Sequence, residues 1–243
     1  MLRPAASRDR HPLRMAPQQR AEVLNALGEE MLRVMASHPL RVAIDGITAA
    51  GKSTLADELG EVLGPRGRQV IRLRMDDFHN ARGQRYRRGR RSARGYYEDA
   101  YAFEALARDV LEPLGEGGDR RYRRRLRDLH TDEEIEDAWE VADDDAILLV
   151  DGTFLQRPEV VALWDARIFV ATSFAVARQR AIVRDAELFG GAEATARIYG
   201  ERYHAACRRY LQAVDPESRT TYVVGNDDPA GPRLIRNRSS PRG

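Results

Sequence analysis

The sequence predicts an α/β fold, a three-layer sandwich in which a five-stranded, mainly parallel sheet is covered by helices on both faces. Three observations predict it. Short apolar, β-branched runs alternate with longer stretches of helical periodicity, the pattern of strand–helix–strand units. The first run, residues 40–45 (LRVAID), leads straight into a glycine-rich segment that opens a helix. A later run, residues 146–150 (AILLV), is continuously apolar and ends in Asp151-Gly152, as expected of a strand buried on both faces.

The elements follow in order. Residues 1–17 are rich in Arg, Pro and Ala without periodicity and read as a disordered tail. Val23, Leu24, Leu27, Met31, Leu32 and Met35 recur at helical spacing over residues 18–35. Strand 40–45 comes next, then a helix over 53–63 stopped by Gly64-Pro65. Residues 69–75 (QVIRLRM) are a second strand, 81–94 an arginine-dense loop, and 99–114 a helix with Tyr101, Phe103, Leu106, Val110 and Leu111 on one face. Residues 119–145 are polar and irregular, with room for a β-hairpin and a loop. Strands at 146–150, 167–171 and 221–224 complete the sheet, with helices at 174–188 and 192–214. One domain spans 18–229, residues 230–243 read as a second disordered tail, and there are no internal repeats.

Composition narrows the class. The 243 residues are 42% hydrophobic and 32% charged, enough for one sizeable core. The formal net charge of +2 argues against a general nucleic-acid binder. One cysteine, Cys207, excludes an internal disulfide and a multi-cysteine metal site. No run approaches the roughly 18 apolar residues of a membrane span. The N-terminus lacks the apolar stretch of a signal peptide, so the cytoplasm is the expected compartment. A homo-oligomer is compatible with the sequence.

Gly46-Ile47-Thr48-Ala49-Ala50-Gly51-Lys52-Ser53-Thr54 has the G-x-x-x-x-G-K-[ST] spacing of a phosphate-binding loop, which makes the sandwich a P-loop NTPase fold. Lys52 is the one lysine of the chain. Arginine is a planar fork, whereas lysine is a compact charge on a slim stem that can thread a tight loop. Backbone N–H groups of Ala49, Ala50, Gly51, Lys52 and Ser53 are expected to cradle the β-phosphate of ATP, with Gly46 and Thr54 bounding the loop. Lys52 reaches the β- and γ-phosphates, and the Ser53 hydroxyl holds Mg²⁺. Asp151, ending its apolar strand, is a second Mg²⁺ candidate, although an Asp-Gly turn after a strand needs no metal. Asp76-Asp77-Phe78-His79 follows the second strand. A carboxylate there can orient and deprotonate an acceptor hydroxyl, or simply form an acidic turn.

On these residues the chain resembles the uridine kinase-like P-loop kinases, a group that includes phosphoribulokinase, pantothenate kinase and nicotinamide riboside kinase. The resemblance covers roughly residues 40–229 and rests on the phosphate loop, a D-x-F-[YH] element at Asp76-Asp77-Phe78-His79, and the AILLVDG strand. It implies that Asp76 is the general base, with Asp77 and His79 beside the acceptor. The family's sugar-binding element aligns loosely with residues 97–104 (YEDAYAFE), implying Glu98 as a sugar-hydroxyl acceptor and Tyr97 as a stacking wall. A small lid after the fourth strand, R-x-x-x-R-D, corresponds to residues 180–185 (RAIVRD), so Arg180 and Arg184 would clamp the phosphoryl group. Exposed helix arginines are the alternative. The lid's second arginine pair is replaced by residues 187–191 (ELFGG), with Arg197 or Arg202 left to supply that charge. A pyrimidine-reading histidine is not evident, and His130 is the one candidate.

The implied activity is transfer of the ATP γ-phosphoryl group to a hydroxyl of a small-molecule acceptor, a nucleoside or related ribosyl compound. Pantothenate, nicotinamide riboside or a sugar phosphate are the alternatives. A guanine-reading switch would need N-K-x-D, which the single lysine forbids, and a nucleic-acid-driven motor would need a larger core. The arginines of 82–91 and 120–127 read first as solvated loops, then as an anionic-acceptor site, then as an RNA arm. Cys207 reads as core, and residues 226–229 (NDDP) as a turn that could border the base.

Overall fold

A computed structural model describes residues 18–136 and 138–236 of the chain. Its strands are β1 (Leu40–Gly46), β2 (Val70–Arg74), β3 (Arg121–Arg123), β4 (Trp139–Val141), β5 (Ile147–Asp151), β6 (Ala166–Ala171), β7 (Tyr222–Gly225) and β8 (Arg233–Arg236). Six of them form one sheet in the order β2-β5-β1-β6-β7-β8, and β3 pairs with β4 in a separate antiparallel ribbon. β2, β5, β1, β6 and β7 run parallel, and β8 is antiparallel to β7.

β1 is central, and every residue of β1 and of β5 is buried. A parallel strand with helices on both sides has no wet face, which is why β5 reads as an unbroken apolar run. The one cation in β1, Arg41, is satisfied by Asp165 at 2.9 Å and the Leu111 carbonyl at 3.0 Å.

The helices are α1 (Gln18–Arg33), α2 (Lys52–Leu63), α3 (Arg82–Arg85), α4 (Ala93–Asp99), α5 (Phe103–Leu106), α6 (Phe174–Phe189), α7 (Ala192–Ile198), α8 (His204–Val214) and α9 (Pro216–Arg219). α1 packs against α2, driving Leu27 and Met31 into the core, and Arg20 fastens the pair to Glu58 at 2.5 Å. A π-helical turn, Tyr199–Tyr203, joins α7 to α8. Among the described residues no helix is long and apolar enough to cross a membrane.

The structure differs from the sequence expectation in three places. The sheet has a sixth strand, β8, within the stretch read as a C-terminal tail. Four residues at a sheet edge after Gly231-Pro232 carry too little periodicity to announce a strand. The helix expected over 99–114 starts only at Phe103, because Asp99 already closes α4 and Tyr101 forms an isolated bridge with His79. Within the arginine-dense loop, α4 begins on a Ser92 cap that accepts from the Gly95 N–H at 2.9 Å. Arg87 and Arg88 fold onto the buried Asp99 at 2.5 and 2.7 Å, so part of that charge is structural. Of the tails read at 1–17 and 230–243, residues 1–17 and 237–243 lie outside the described residues.

Parallel register brings the strand ends to one edge. Asp151 lies level with Ile44 of β1 and Arg74 of β2, and Gly46 lies level with Val170 of β6. In open α/β sheets this carboxyl edge is where ligands bind.

Candidate active site

At the end of β1 the chain leaves the sheet through Gly46 and re-enters helix at Lys52. Gly51 sits at φ +94°, and a Cβ there would lie 2.6 Å from Asn226 Nδ2, so only glycine fits. Ala49 holds a left-handed φ of 67° within the same turn. Gly51 is the N-cap of α2 and offers no side chain, so the first N–H groups of a 12-residue helix stay open to an anion. Lys52 curls back to donate to the Ile47 carbonyl at 2.8 Å. Burial pushes its ammonium pKa down, opposed by Cys207, Asp45, Asp151 and Asp76.

The loop rests on Asp45, which is fully buried. One carboxylate oxygen accepts the Gly46 N–H at 2.7 Å and the Phe154 N–H at 3.2 Å. The other accepts the Tyr210 hydroxyl at 2.5 Å and Gln156 Nε2 at 3.4 Å. Burial raises the Asp45 pKa, and Tyr210, the Gly46 N–H, Lys52 and Gln156 pull it back. Cys207 lies under the loop with Sγ 3.6 Å from Thr48 Oγ1, and His204 Nε2 sits 3.3 Å from the Thr48 carbonyl.

Ser53 and Asp151 meet across the mouth of the loop. The Ser53 hydroxyl donates to Asp151 Oδ2 at 2.5 Å, while Arg72 donates to Oδ1 at 2.9 Å. Thr54 is exposed on the same turn. A hydroxyl beside a carboxylate is a hard-oxygen donor set that suits Mg²⁺. Among the described residues no cluster of three or more His, Cys, Asp or Glu side chains could cage a metal. That fits an ion held by one or two protein oxygens and completed by phosphates.

Asp76 follows β2 in a short 3₁₀ turn, Met75–Asp77. Its Oδ1 accepts the Tyr101 hydroxyl at 2.9 Å, and the Tyr101 and Tyr96 hydroxyls are 3.0 Å apart. Burial beside Asp76 raises both phenol pKa values, so both remain neutral donors. His79 packs against Tyr101 with the rings tilted by 47° and their centroids 4.5 Å apart, and places Nδ1 2.8 Å from the Asp76 carbonyl. Burial lowers the His79 pKa. Asp77 anchors a neighbouring segment instead, its carbonyl accepting from Leu126 N at 2.9 Å and Arg127 N at 3.3 Å. Burial raises the pKa of its carboxyl group, with Arg125 opposing.

Thr48, Asp76, His79, Tyr101 and Arg184 line one cavity of about 660 Å³. Arg184 is held there by Asp185 at 2.8 Å and by the Tyr199 hydroxyl at 2.9 Å. Arg180 does something different, donating to the carbonyls of Ala50 at 3.3 Å and Asn226 at 2.7 Å. It thereby ties the phosphate loop to the segment after β7. A second cavity of about 690 Å³ opens beside that segment, lined by Thr172, Ser173, Asn226 and Asp227.

Like Asp77, two further acceptor-side candidates stand outside the lining of the Asp76 cavity. Tyr97 is missing from the cavity lining, and Tyr96 occupies that wall. Tyr97 instead packs edge-on against Phe154 at 5.1 Å, under the Arg157 guanidinium at 4.6 Å. Helical geometry explains the exchange, since adjacent residues of α4 point about 100° apart. Glu98 pairs with Arg94 at 2.9 Å and Arg88 at 3.0 Å and borders a separate cavity of about 400 Å³. Tyr96 and Tyr101 are not among the sequence candidates, whereas Asn226 belongs to the 226–229 turn already expected to border the base. The tyrosine spacing in residues 96–101 (YYEDAY) was a legible signal, but helical periodicity assigned Tyr101 to a core face.

Solved structures share this fold. A possible uridine kinase from Bacillus stearothermophilus superimposes with a TM-score of 0.66 at 22% identity, covering 84% of this chain and 97% of its own. A candidate fructose transport system kinase from Silicibacter sp. TM1040 gives a TM-score of 0.66 at 25% identity, covering 79% of this chain and 95% of its own. No curated protein matches. From the middle of β1 to the end of β7, residues 42–224 match the Phosphoribulokinase / Uridine kinase family, and the chain belongs to that family.

Proposed function

We propose that the protein is an ATP- and Mg²⁺-dependent kinase that transfers the γ-phosphoryl group to a hydroxyl of a small molecule, a nucleoside or other ribosyl compound being the first class to test. The observation that carries this reading is the shared cavity: Asp76 and Arg184 line one space that Thr48 of the phosphate loop also borders. An NTP hydrolase without an acceptor has no need of a carboxylate held there by a tyrosine.

In this reading the open N–H groups at the start of α2 and the Lys52 ammonium bind the phosphates. Ser53 and Asp151 hold Mg²⁺, which neutralises phosphate charge when bound. Asp76, positioned by Tyr101, takes the proton of the attacking hydroxyl. Arg184, oriented by Asp185 and Tyr199, steadies the transferring group. Arg180 acts by fixing the loop's position against Asn226.

The test is ADP release with ATP and a panel of nucleosides, pentoses, pantothenate and their phosphates. At least one acceptor is expected to stimulate release. Asp76→Asn abolishes transfer and spares ATP binding, whereas Lys52→Ala weakens both. High basal hydrolysis that no acceptor stimulates sinks the kinase assignment.

A further inference from the structure

The cavity at Asp76 carries more positive charge than phosphoryl transfer alone uses. Arg202 is the key residue. It lies on the π-helical turn between α7 and α8, where the extra residue per turn rotates its side chain inward. It is 4% exposed, yet no carboxylate of the described residues pairs with it. Its Nη1 donates to the Arg90 carbonyl, and its Nε has no hydrogen-bond partner. The guanidinium is boxed by aromatic rings, with Tyr86 and Tyr96 centroids at 5.2 Å and Tyr203 at 5.5 Å.

A desolvated cation without a counter-charge is costly, and stacking on tyrosines offsets only part of that cost. A ligand anion entering the cavity would complete the balance. Two other cavity arginines differ in kind. Arg184 is already neutralised by Asp185, and Arg85 by Asp132 at 3.1 Å. Arg90 sits exposed at the rim with its guanidinium 4.6 Å from the Tyr86 ring. Arg202, Arg90 and Arg82, whose guanidinium donates to the His130 carbonyl at 3.2 Å, are thus the cavity arginines whose side chains no described carboxylate answers, and of these Arg202 alone is buried.

Placement separates this wall from the phosphoryl site. The hydrogen-bonded pair Tyr101–Tyr96 runs from Asp76 to the ring that faces Arg202. A molecule presenting its hydroxyl to Asp76 would therefore lay its far end against the Arg202 box.

We infer that the acceptor is anionic, a hydroxyl compound carrying a phosphate ester or carboxylate that docks on Arg202 with help from Arg90. The inference rests on the kinase assignment and narrows it, because a neutral nucleoside or free sugar leaves the Arg202 box unfilled.

The experiment uses matched pairs: ribose and ribose 5-phosphate, uridine and uridine monophosphate, glycerol and glycerate, pantothenol and pantothenate. ADP release is measured for each with saturating ATP and Mg²⁺. The anionic member of at least one pair is expected to exceed its neutral twin by 100-fold or more in kcat/KM. Phosphate-ester and carboxylate pairs tell the two anion sources apart. Arg202→Gln is expected to raise the acceptor KM at least 30-fold with kcat and the KM for ATP nearly unchanged, and to erase the preference within the pair. Arg90→Gln, an exposed change that spares the fold, raises the same KM several-fold.

A binding arm is independent of turnover. Inorganic phosphate is titrated calorimetrically into protein saturated with Mg²⁺ and a non-hydrolysable ATP analogue. Wild type is expected to bind it, and Arg202→Gln and Arg90→Gln to bind it more weakly. Neutral twins turned over as well as anionic ones overturn the inference and leave the kinase assignment standing. Absence of phosphate binding to the loaded wild type overturns it whatever the turnover shows. Basal hydrolysis unmoved by every compound overturns the kinase assignment and the inference with it.

Discussion

Ser53 and Asp151 are joined by a 2.5 Å hydrogen bond across the mouth of the phosphate loop, with Arg72 on the carboxylate's other oxygen at 2.9 Å. The pair joins the first turn of α2 to the end of β5, two elements almost a hundred residues apart in sequence (|i−j| = 98). Any cation bound there must replace or share the Ser53 proton's place on Asp151. Asp151→Asn should therefore raise the Mg²⁺ concentration for half-maximal activity by roughly tenfold or more. Metal titration of turnover checks this, with metal-free nucleotide binding expected to stay close to wild type.

Arg72 bridges Asp151 and Asp57, the latter at 2.8 Å. Arg72→Met leaves Asp151, which is 4% exposed, without its cation. Removing one partner of a buried pair costs about 1–3 kcal/mol. Chemical denaturation should show that loss, and Mg²⁺ should restore more stability to this variant than to wild type.

Tyr101 fixes the Asp76 carboxylate through one hydrogen bond at 2.9 Å. Tyr101→Phe keeps the ring against His79 and deletes that bond together with the one shared with the Tyr96 hydroxyl. A hydrogen bond of this kind contributes about 1 kcal/mol, so kcat should fall roughly five- to tenfold. The KM for ATP should not move. An equal loss of ATP affinity would show that the tyrosine serves the nucleotide side instead.

Gly51→Ala forces a Cβ to within 2.6 Å of Asn226 at a φ of +94°. Left-handed backbone costs a residue with a Cβ roughly 1–2 kcal/mol before any clash is counted. The variant should lose both stability and nucleotide binding. Adding Asn226→Ala should recover part of the stability, since it removes the clash and leaves the backbone strain.

His204 has its pKa lowered from 6.5 by burial, with the Thr48 carbonyl opposing. The unfolded chain takes up a proton at the ordinary histidine pKa, before the folded chain does. Stability from this group is thus intact above about pH 6.5 and declines as pH falls below it. His204→Gln should flatten that acid limb in denaturation curves measured from pH 7.5 to 5. An unchanged slope would assign the limb to other groups.

Much of this arrangement was legible in the chain. The phosphate loop, Asp76 and Asp151 could be found because each sits where a strand gives way, and both the strand and the punctuation after it are local signals. Tyr101 and Arg202 could not be found that way. Tyr101 looked like one more apolar-face residue of a helix, and only the bridge to His79 turns it toward Asp76. Arg202 is legible only as one of two arginines, with Arg197, that could supply a missing lid charge, and its burial on the π-helical turn has no local signal. Tyr97 and Glu98 stand outside the Asp76 cavity for a related reason: a loose motif alignment picks residues near a site, while the phase of a short helix decides which side chain lines it. β8 was lost to shortness.

The lone lysine has a practical consequence. Apart from the chain's α-amine, amine-directed chemistry has a single side-chain target in this protein, and it lies 8% exposed inside the phosphate loop. Acylation of Lys52 therefore acts as a one-site occupancy gauge. A bound nucleotide should shield it, and the rate of labelling read by mass spectrometry should fall with the fraction of loops filled. Few enzymes could be followed this way without first removing competing lysines.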